Sequence, residues 1–237
     1  MRLPPLINGH ILHRYKRFLA DVVLEDGRNV TAHCPNTGSM RTCWTPGAPV
    51  QLSHSDNPAR KLAWTLERVD MGAGWIGVHT GRVNGVVAEA IVAGRIPALD
   101  GYHRLRREVT LELPGLPRGR LDIGLYDGPT AEALVEIKNV TLLDGPCLRF
   151  PDAVTERGRK HLDLLLAAHQ GGRRAVILFA LNRPEGDYFA PCRESDPTYA
   201  RRLLEVTAAG VEALAVRIQH TDEDLEVGAA VALRLDL

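Results

Sequence analysis

Two carboxylates and a lysine near the middle of the chain could share one face of a β-sheet. Residues 120–126 read as one short strand that contains Asp122, and residues 134–140 read as a second that contains Glu136 and Lys138. Side chains alternate between the two faces of a strand, so Glu136 and Lys138 should point the same way. If a hairpin brings Asp122 next to Glu136, the repulsion between the carboxylates favours a cation between them. A divalent metal ion facing a phosphate group would suit this arrangement.

A simpler interpretation is that Glu136 and Lys138 only neutralise each other on a strand, because a Glu-x-Lys spacing is a weak signal. The composition favours chemistry, since the chain has 25 arginines and only four lysines and therefore usually supplies positive charge as arginine. Lysine differs from arginine in being a compact charge whose pKa responds to burial. A lysine among apolar strand residues of this chain therefore indicates a catalytic role.

The composition also bounds the class of protein. The 237 residues, 45% of them hydrophobic, could form one large domain or two small ones. No apolar run approaches the roughly 20 residues of a membrane span, and the N-terminus lacks the pattern of a secretory signal. Four scattered cysteines without a Cys-x-x-Cys pair are typical of reduced thiols. We therefore expect a cytoplasmic protein that is not bound to a membrane.

The formal net charge of zero hides an uneven distribution of charge. Residues 1–120 carry 16 basic and 10 acidic side chains, whereas residues 121–237 carry 13 basic and 19 acidic ones. The first part could present a basic face to an anionic polymer, and the second concentrates carboxylates where a metal could bind. The alternative is that mixed charges simply solvate the surface.

Short strands dominate the first 80 residues of the chain. Five segments have this character: residues 11–25, 29–34, 48–53, 64–69 and 74–79. Without a convincing helix among them, they predict a small OB-like β-barrel over residues 1–82. Such barrels bind nucleic-acid strands by combining basic residues with aromatic stacking platforms, although ordinary surface charge and core aromatics are the alternative. The candidate binding residues are Arg14, Tyr15, Lys16, Arg17, Arg41, Arg60 and Lys61.

Helical and strand patterns alternate from residue 83 onward. Helices are predicted at residues 86–96, at 156–170 with Thr155 as N-cap, and from Pro197 to about 210. Further strands are predicted at residues 109–113, 175–181 and 211–218. This order predicts an α/β domain over residues 83–237, with helices layered on a sheet.

Three runs of sequence resemble the sugar fermentation stimulation protein family. They are Arg-Tyr-Lys-Arg-Phe-Leu-Ala-Asp-Val at residues 14–22, His-Cys-Pro-Asn-Thr-Gly-Ser-Met at 33–40 and Phe-Pro-Asp-Ala-Val-Thr-Glu-Arg-Gly at 150–158. The resemblance extends over essentially the whole chain. It implies a DNA-binding protein with an OB-like N-terminal barrel and a C-terminal α/β domain of the PD-(D/E)xK, restriction-endonuclease-like fold.

The resemblance also implies roles for individual residues. Asp122 matches the acidic residue of the second core strand of the nuclease pattern, and Glu136 and Lys138 match its Glu-x-Lys. Leu121 stands where that pattern nominally has a proline, a position that varies widely. Glu89 falls on the first core helix, where many such nucleases carry a further metal-binding acid.

Two functions of different classes follow from these observations. The first is a Mg²⁺- or Mn²⁺-dependent nuclease, in which Asp122, Glu136 and the backbone carbonyl of Ile137 hold the metal. Arg157 and Lys160 would then contact the phosphate. DNA is the expected partner of the chain, and a second copy of the chain, forming a homodimer, is a further one.

The second function is that of a non-cleaving DNA-binding regulator of sugar (maltose-type) metabolism genes. In this interpretation the nuclease-like domain only holds nucleic acid, and Lys160 could simply pair with Glu156 on a solvated helix face. A sugar-metabolising enzyme is not indicated, because the chain has no phosphate-binding loop, dinucleotide glycine pattern or nucleophile elbow.

Overall fold

The computed structural model describes residues 1–113, 115 and 117–236, and its first 77 residues form a barrel of short strands. The strands are β1 (Leu6–Tyr15), β2 (Leu19–Leu24), β3 (Asn29–His33), β4 (Pro49–His54), β5 (Trp64–Asp70) and β6 (Trp75–Gly77). They lie in the order β3-β2-β1-β4-β5-β6, and parallel pairing of Ala32 with Trp64 joins β3 to β5. This pairing closes β1 to β5 into a barrel and confirms the predicted OB-like fold.

The stretch predicted as a single strand at residues 11–25 is part of two antiparallel strands. The chain reverses between β1 and β2 at Lys16 and Arg17, whose backbone φ angles are 50° and 67°. Residues other than glycine rarely adopt this left-handed conformation, and neither residue is a typical turn former. The turn therefore had no signal in the sequence.

The rest of the chain forms an α/β domain, as predicted. Its elements are α1 (Thr80–Val92), a short 3-10 turn (Pro97–Leu99), β7 (Arg104–Leu111), β8 (Gly119–Tyr126), β9 (Ala133–Val140), β10 (Leu142–Asp144), β11 (Cys147–Phe150), α2 (Glu156–Gln170), β12 (Arg174–Leu181), β13 (Tyr188–Pro191), α3 (Pro197–Ala208), β14 (Glu212–His220), β15 (Leu225–Ala230) and β16 (Ala232–Leu233). The main sheet has the order β15-β14-β12-β9-β8-β7, and a smaller one the order β10-β11-β13-β16. Residues 114, 116 and 237 of the predicted second domain lie outside the described residues.

Helices cover both faces of the main sheet. Val135 and Ile137 of β9 face the apolar cluster that contains α1, whereas Leu134 lies in the cluster that contains α2 and α3. Because side chains alternate along a strand, Glu136 and Lys138 lie on the face of α2. No helix in the described part of the chain is long and apolar enough to span a membrane.

The helix boundaries differ in how well they could be predicted. Helix α2 begins at the predicted residue, and the Thr155 hydroxyl accepts a hydrogen bond from the Gly158 amide at 3.0 Å. Helix α1 begins at Thr80, six residues before the predicted start, and its N-cap residue His79 makes no side-chain capping bond. The predicted domain boundary between residues 82 and 83 therefore falls within α1.

A buried ion pair joins α1 to the barrel. Arg82 donates two hydrogen bonds of 2.6 Å to Glu67 of β5, and the Ser53 hydroxyl donates a third of 2.6 Å. The Glu67 side chain is only 2% exposed. Burial alone would raise the pKa of Glu67, but the bonds from Arg82 and Ser53 outweigh burial and lower the pKa below its usual value. The carboxylate thus remains ionised and fixes the start of α1 on the barrel.

We predict that Arg82→Ala lowers the free energy of unfolding by about 3 kcal/mol, because it leaves Glu67 buried without its cation. Urea unfolding at pH 7 measures this loss. Since the folded pKa of Glu67 is lowered, the stabilisation is present above about pH 4.5 and is lost as the pH falls through the folded pKa. Arg95→Ala is the control, because Arg95 and Glu226 form an exposed pair at 3.9 Å that should contribute less than about 1 kcal/mol. Equal effects of the two substitutions would contradict the assignment.

Candidate functional site

The β8–β9 hairpin brings Asp122 next to Glu136. Ile123 pairs with Val135, and continuing this register places Asp122 opposite Glu136. Asp122 Oδ2 accepts a hydrogen bond from the amide of Ile137 at 2.7 Å. Its Oδ1 accepts a bond of 2.7 Å from the side-chain amide of Asn84 on α1. The carboxylate of Asp122 is therefore held between β9 and α1.

Lys138 and His161 share one oxygen of Glu136. Lys138 Nζ lies 2.6 Å from Glu136 Oε1, and His161 Nδ1 of α2 contacts the same oxygen. Lys138 Nζ also lies 3.3 Å from His161 Nδ1. The other carboxylate oxygen, Glu136 Oε2, is buried without a hydrogen-bond partner in the described part of the protein. Buried carboxylate oxygens usually have a partner, so this oxygen is a candidate ligand for a cation.

The two carboxylates differ in how firmly they bind a proton. Burial, and then the charge of Glu136, raises the pKa of Asp122 from its usual 3.8 to about 6. Burial would also raise the pKa of Glu136, but Lys138 and His161 outweigh burial and lower it. At neutral pH both carboxyl groups are therefore mainly ionised. The repulsion between them appears as the raised pKa of Asp122.

The site opens into a cleft of about 480 Å³ whose walls come from both domains. The second domain contributes the carboxylates, Lys138, the first turn of α1 and the beginning of α2 with Arg157. The barrel contributes Arg17 from the β1–β2 turn and a loop of residues 36–38. Nucleic acid in this cleft would contact both domains at once.

Arg14 supports the barrel wall of the cleft from within. Its guanidinium donates hydrogen bonds of 2.7 to 3.3 Å to the backbone carbonyls of Arg17, Asn36, Gly38 and Ser39. Each of these carbonyls lies in the turn or loop that borders the cleft. Arg14 thus holds the turn and the loop in place, and its four hydrogen bonds go to the protein backbone.

Asp152 attaches the same loop to the second domain. Its Oδ2 accepts hydrogen bonds of 3.2 Å from the Ser39 hydroxyl and the Met40 amide. A side chain on Gly38 would place its Cβ 2.4 Å from Asp152 Oδ2, so only glycine allows this approach. The loop and the second domain therefore form one continuous wall.

Several predicted nucleic-acid-binding residues lie on the barrel outside the cleft. Lys16, Arg41 and Lys61 are exposed. The Tyr15 hydroxyl donates to Asp21 at 3.3 Å, and Arg60 donates to the Thr65 hydroxyl at 2.8 Å. On α2, Arg157 and Lys160 are exposed, and no ion pair joins Lys160 to Glu156 in the described part of the chain.

The structure does not bring Glu89 to the cleft. Its carboxylate is half exposed and lies 3.0 Å from the amino terminus of Met1. Asn84 occupies the position on α1 that reaches Asp122. Glu89 follows Asn84 by five residues, and at about 100° per residue its side chain points roughly 140° away from that of Asn84 around the helix axis. We therefore leave Glu89 out of the metal site.

The residues present fit a magnesium-like ion. No group of three His, Cys, Asp or Glu side chains able to hold a metal occurs among the described residues. Zinc needs about three or four such ligands, whereas Mg²⁺ is bound through one or two carboxylates and keeps several waters. Asp122 and Glu136 supply two carboxylates, and Ile137 between the key side chains of β9 also lines the cleft.

Three residues of the site were not predicted from the sequence, namely His161, Asn84 and Asp152. His161 follows Arg157 by four positions, so both lie on one side of α2, and this spacing was the only signal available. Asn84 was outside the predicted helix. The contacts of Asp152 depend on the relative position of the two domains, which no local pattern encodes.

We predict that Asp122→Asn stabilises the metal-free protein at pH 7.5 by up to about 3 kcal/mol, since one pKa unit corresponds to about 1.4 kcal/mol. Because the pKa of Asp122 is raised in the folded state, its ionisation destabilises the wild type as the pH rises from about 4 through about 6. The stabilisation by Asp122→Asn should therefore vanish at pH 3.5, where Asp122 is protonated in the wild type. Thermal unfolding in EDTA measures it. Mg²⁺ should then raise the melting temperature of the wild type but not of the variant. Asp127→Asn, on the exposed end of the same hairpin, is the control. A variant less stable at pH 7.5 would contradict this interpretation.

Comparison with known proteins identifies the family. The protein-family model described as "Sugar fermentation stimulation protein RE domain" matches residues 81–224, and the family model described as "SfsA N-terminal OB domain" matches residues 12–78. The sugar fermentation stimulation protein homolog of Acidithiobacillus ferrooxidans is 46% identical over 98% of this chain and 99% of its own. That of Geobacter sulfurreducens is 48% identical over 96% of each chain.

A solved structure supports the same relationship. It is described as "The structure of Pyrococcus Furiosus SfsA in complex with Ca2+", with 26% sequence identity and a TM-score of 0.85 over 99% of this chain and 98% of that one. The OB domain suggests nucleic-acid binding. The chain belongs to the sugar fermentation stimulation protein family.

Proposed function

We propose that the chain is a nuclease that binds DNA and hydrolyses phosphodiesters with Mg²⁺ or Mn²⁺. The observation that carries this proposal is the pair of carboxylates, Asp122 and Glu136, that line one cleft, with the buried Glu136 Oε2 lacking a hydrogen-bond partner among the described residues. The Pyrococcus furiosus relative was solved with Ca²⁺, an ion that also prefers oxygen ligands. This supports a cation site in the family without assigning its position here.

Asp122 and Glu136 would hold the metal, with the carbonyl oxygen of Ile137 as a further ligand. The hydrogen bonds from Asn84 and the Ile137 amide already orient the Asp122 carboxylate, so little reorganisation is needed on binding. A bound Mg²⁺ or Mn²⁺ would polarise the phosphate and lower the pKa of a water molecule.

Lys138 would stabilise the negative charge that develops during phosphodiester hydrolysis. Its side chain is only 11% exposed and its ammonium group is held by Glu136 and His161, so the charge acts in a partly desolvated site. A preorganised cation in such a site is worth more than in water. The ammonium group would also orient the attacking water.

Arg17 and Arg157 would hold the nucleic-acid backbone from opposite walls. Both line the cleft, Arg17 from the barrel and Arg157 from α2. A guanidinium group can donate two parallel hydrogen bonds to a phosphate. The substrate would therefore be positioned by both domains, while the carboxylates act at its centre.

The second candidate function is a non-cleaving DNA-binding regulator of sugar (maltose-type) metabolism genes. The family name, which refers to sugar fermentation, favours this function. Such a protein would use the basic residues of the cleft and would need Glu136 and Lys138 only as an internal ion pair. Cleavage assays separate the two functions.

We predict that Lys138→Ala lowers kcat for DNA cleavage by at least about 100-fold while DNA affinity changes little, because Lys138 acts on the reacting phosphate. Asp122→Ala should remove both cleavage and metal binding, which calorimetric titration with Mg²⁺ measures. The substrates are single- and double-stranded DNA and RNA in Mg²⁺ or Mn²⁺. Lys138→Arg is the matched control, because it keeps a positive charge at this position.

Cleavage that survives EDTA or Lys138→Ala would point to a contaminant or another site. If the purified wild type cuts none of the substrates yet binds DNA, the regulator is favoured over the nuclease.

We also predict that DNA affinity falls steeply with salt, because each neutralised phosphate contributes about −0.7 to −0.9 to the slope of log K against log salt. Arg17→Ala should reduce this slope by about that amount without affecting thermal stability. Arg14→Ala should instead lower the melting temperature, because four backbone carbonyls lose their donor. Fluorescence anisotropy at several salt concentrations measures the slopes. An unchanged slope for Arg17→Ala would remove that residue from the interface.

A further inference from the structure

A second groove, of about 280 Å³, lies beside the cleft. This groove runs between α2 and residues 117–119, which lead into β8. Arg157 and His161 line both the cleft and the groove, so the two share one wall. A strand bound at the carboxylates would reach the groove by passing Arg157 and His161, which are joined by a hydrogen bond of 3.4 Å.

The groove has an excess of positive charge. Arg118 lies on one side and Arg157 and Lys160 lie on the other. The single carboxylate on its wall, Asp163, accepts a hydrogen bond of 2.8 Å from Arg202, which offsets its charge.

Arg157 and Lys160 are exposed, and Arg157 also donates a hydrogen bond of 3.4 Å to His161 Nε2. Arg159, which stands between Arg157 and Lys160, turns away and pairs with buried Asp196 at 2.7 Å. No comparable ion pair joins Arg157 or Lys160 to a carboxylate in the part of the chain that the structure describes. On the opposite side, Arg118 lies 3.5 Å from Glu112, and both side chains are more than 70% exposed. An exposed pair of this kind is weak and can be exchanged for a phosphate.

The floor of the groove is apolar. Pro117 and Leu164 contribute to it, and the backbone at Gly119 lies so close that an added Cβ would contact Leu164 Cδ1 at 2.2 Å. An apolar floor beneath a basic rim suits a nucleotide, whose base and sugar can cover apolar surface while its phosphate meets the cations.

We propose that this groove binds the nucleotide next to the scissile phosphate and that the substrate is therefore a single strand. The proposal rests on the proposed function in one respect, namely that the cleft is where the strand is cut. The barrel loop of residues 36–38 lines the cleft, and the residues that follow it, Ser39 and Met40, are bonded to Asp152. The cleft of about 480 Å³ and the groove of about 280 Å³ are small compared with a double helix, so a single strand can occupy both, whereas a duplex would have to open first.

The test is binding of a fluorescently labelled 12-nucleotide single-stranded DNA to the full chain in EDTA, where no metal-dependent cleavage can occur. Arg118→Ala and Lys160→Ala should each weaken binding by about five-fold at low salt and reduce the log–log salt slope by about 0.7. Lys160→Arg should restore the slope. Arg201→Ala, an exposed arginine of α3 away from the groove, should change nothing.

Duplex DNA of the same sequence should bind more weakly and should show no dependence on Arg118 or Lys160. Variants that keep the wild-type affinity and slope for the single strand, or an equal loss for the duplex, would overturn the proposal. Melting temperatures equal to that of the wild type exclude misfolding. If the groove variants weaken binding but no substrate is ever cut, the nuclease fails and the groove stands. If cutting occurs and both variants bind normally, the groove fails and the nuclease stands.

Discussion

The repulsion between Asp122 and Glu136 is the constraint on which the rest of the site depends. The hairpin register forces the two carboxylates together, and the pKa of Asp122, raised to about 6 by burial and by Glu136, reflects the cost. Lys138 and His161 offset the charge of Glu136, and Asn84 donates to Asp122. Among the residues that the structure describes, none donates to Glu136 Oε2. A divalent cation would offset the remaining repulsion, so cation binding should stabilise the folded protein.

The barrel is part of this site and not only an attached binding domain. The Glu67–Arg82 ion pair fixes the start of α1, the helix that presents Asn84 to Asp122. On the other side of the cleft, Asp152 holds the loop that Arg14 supports. Both connections join elements distant in sequence, so a change at the domain interface should alter the cleft even though it touches no carboxylate.

The sequence was sufficient for features that depend on local periodicity. Strand alternation placed Glu136 and Lys138 on one face, and a capping residue located the start of α2 at Thr155. It was insufficient where tertiary contacts override local preference. The turn at Lys16 has no turn residue, and His161 reaches Glu136 only because α2 packs across the sheet. These contacts join residues far apart in the chain, which local patterns do not describe.

The most direct test of the central claim is to locate a metal ion in crystals soaked with Mn²⁺, using its anomalous scattering. We predict one peak between Asp122 and Glu136, with a carboxylate oxygen of each at about 2.1 to 2.3 Å and Glu136 Oε2 among the ligands. The peak should disappear in Asp122→Ala crystals. A Mn²⁺ ion bound elsewhere, or a site that stays empty while Lys138 remains bonded to Glu136, would contradict the account.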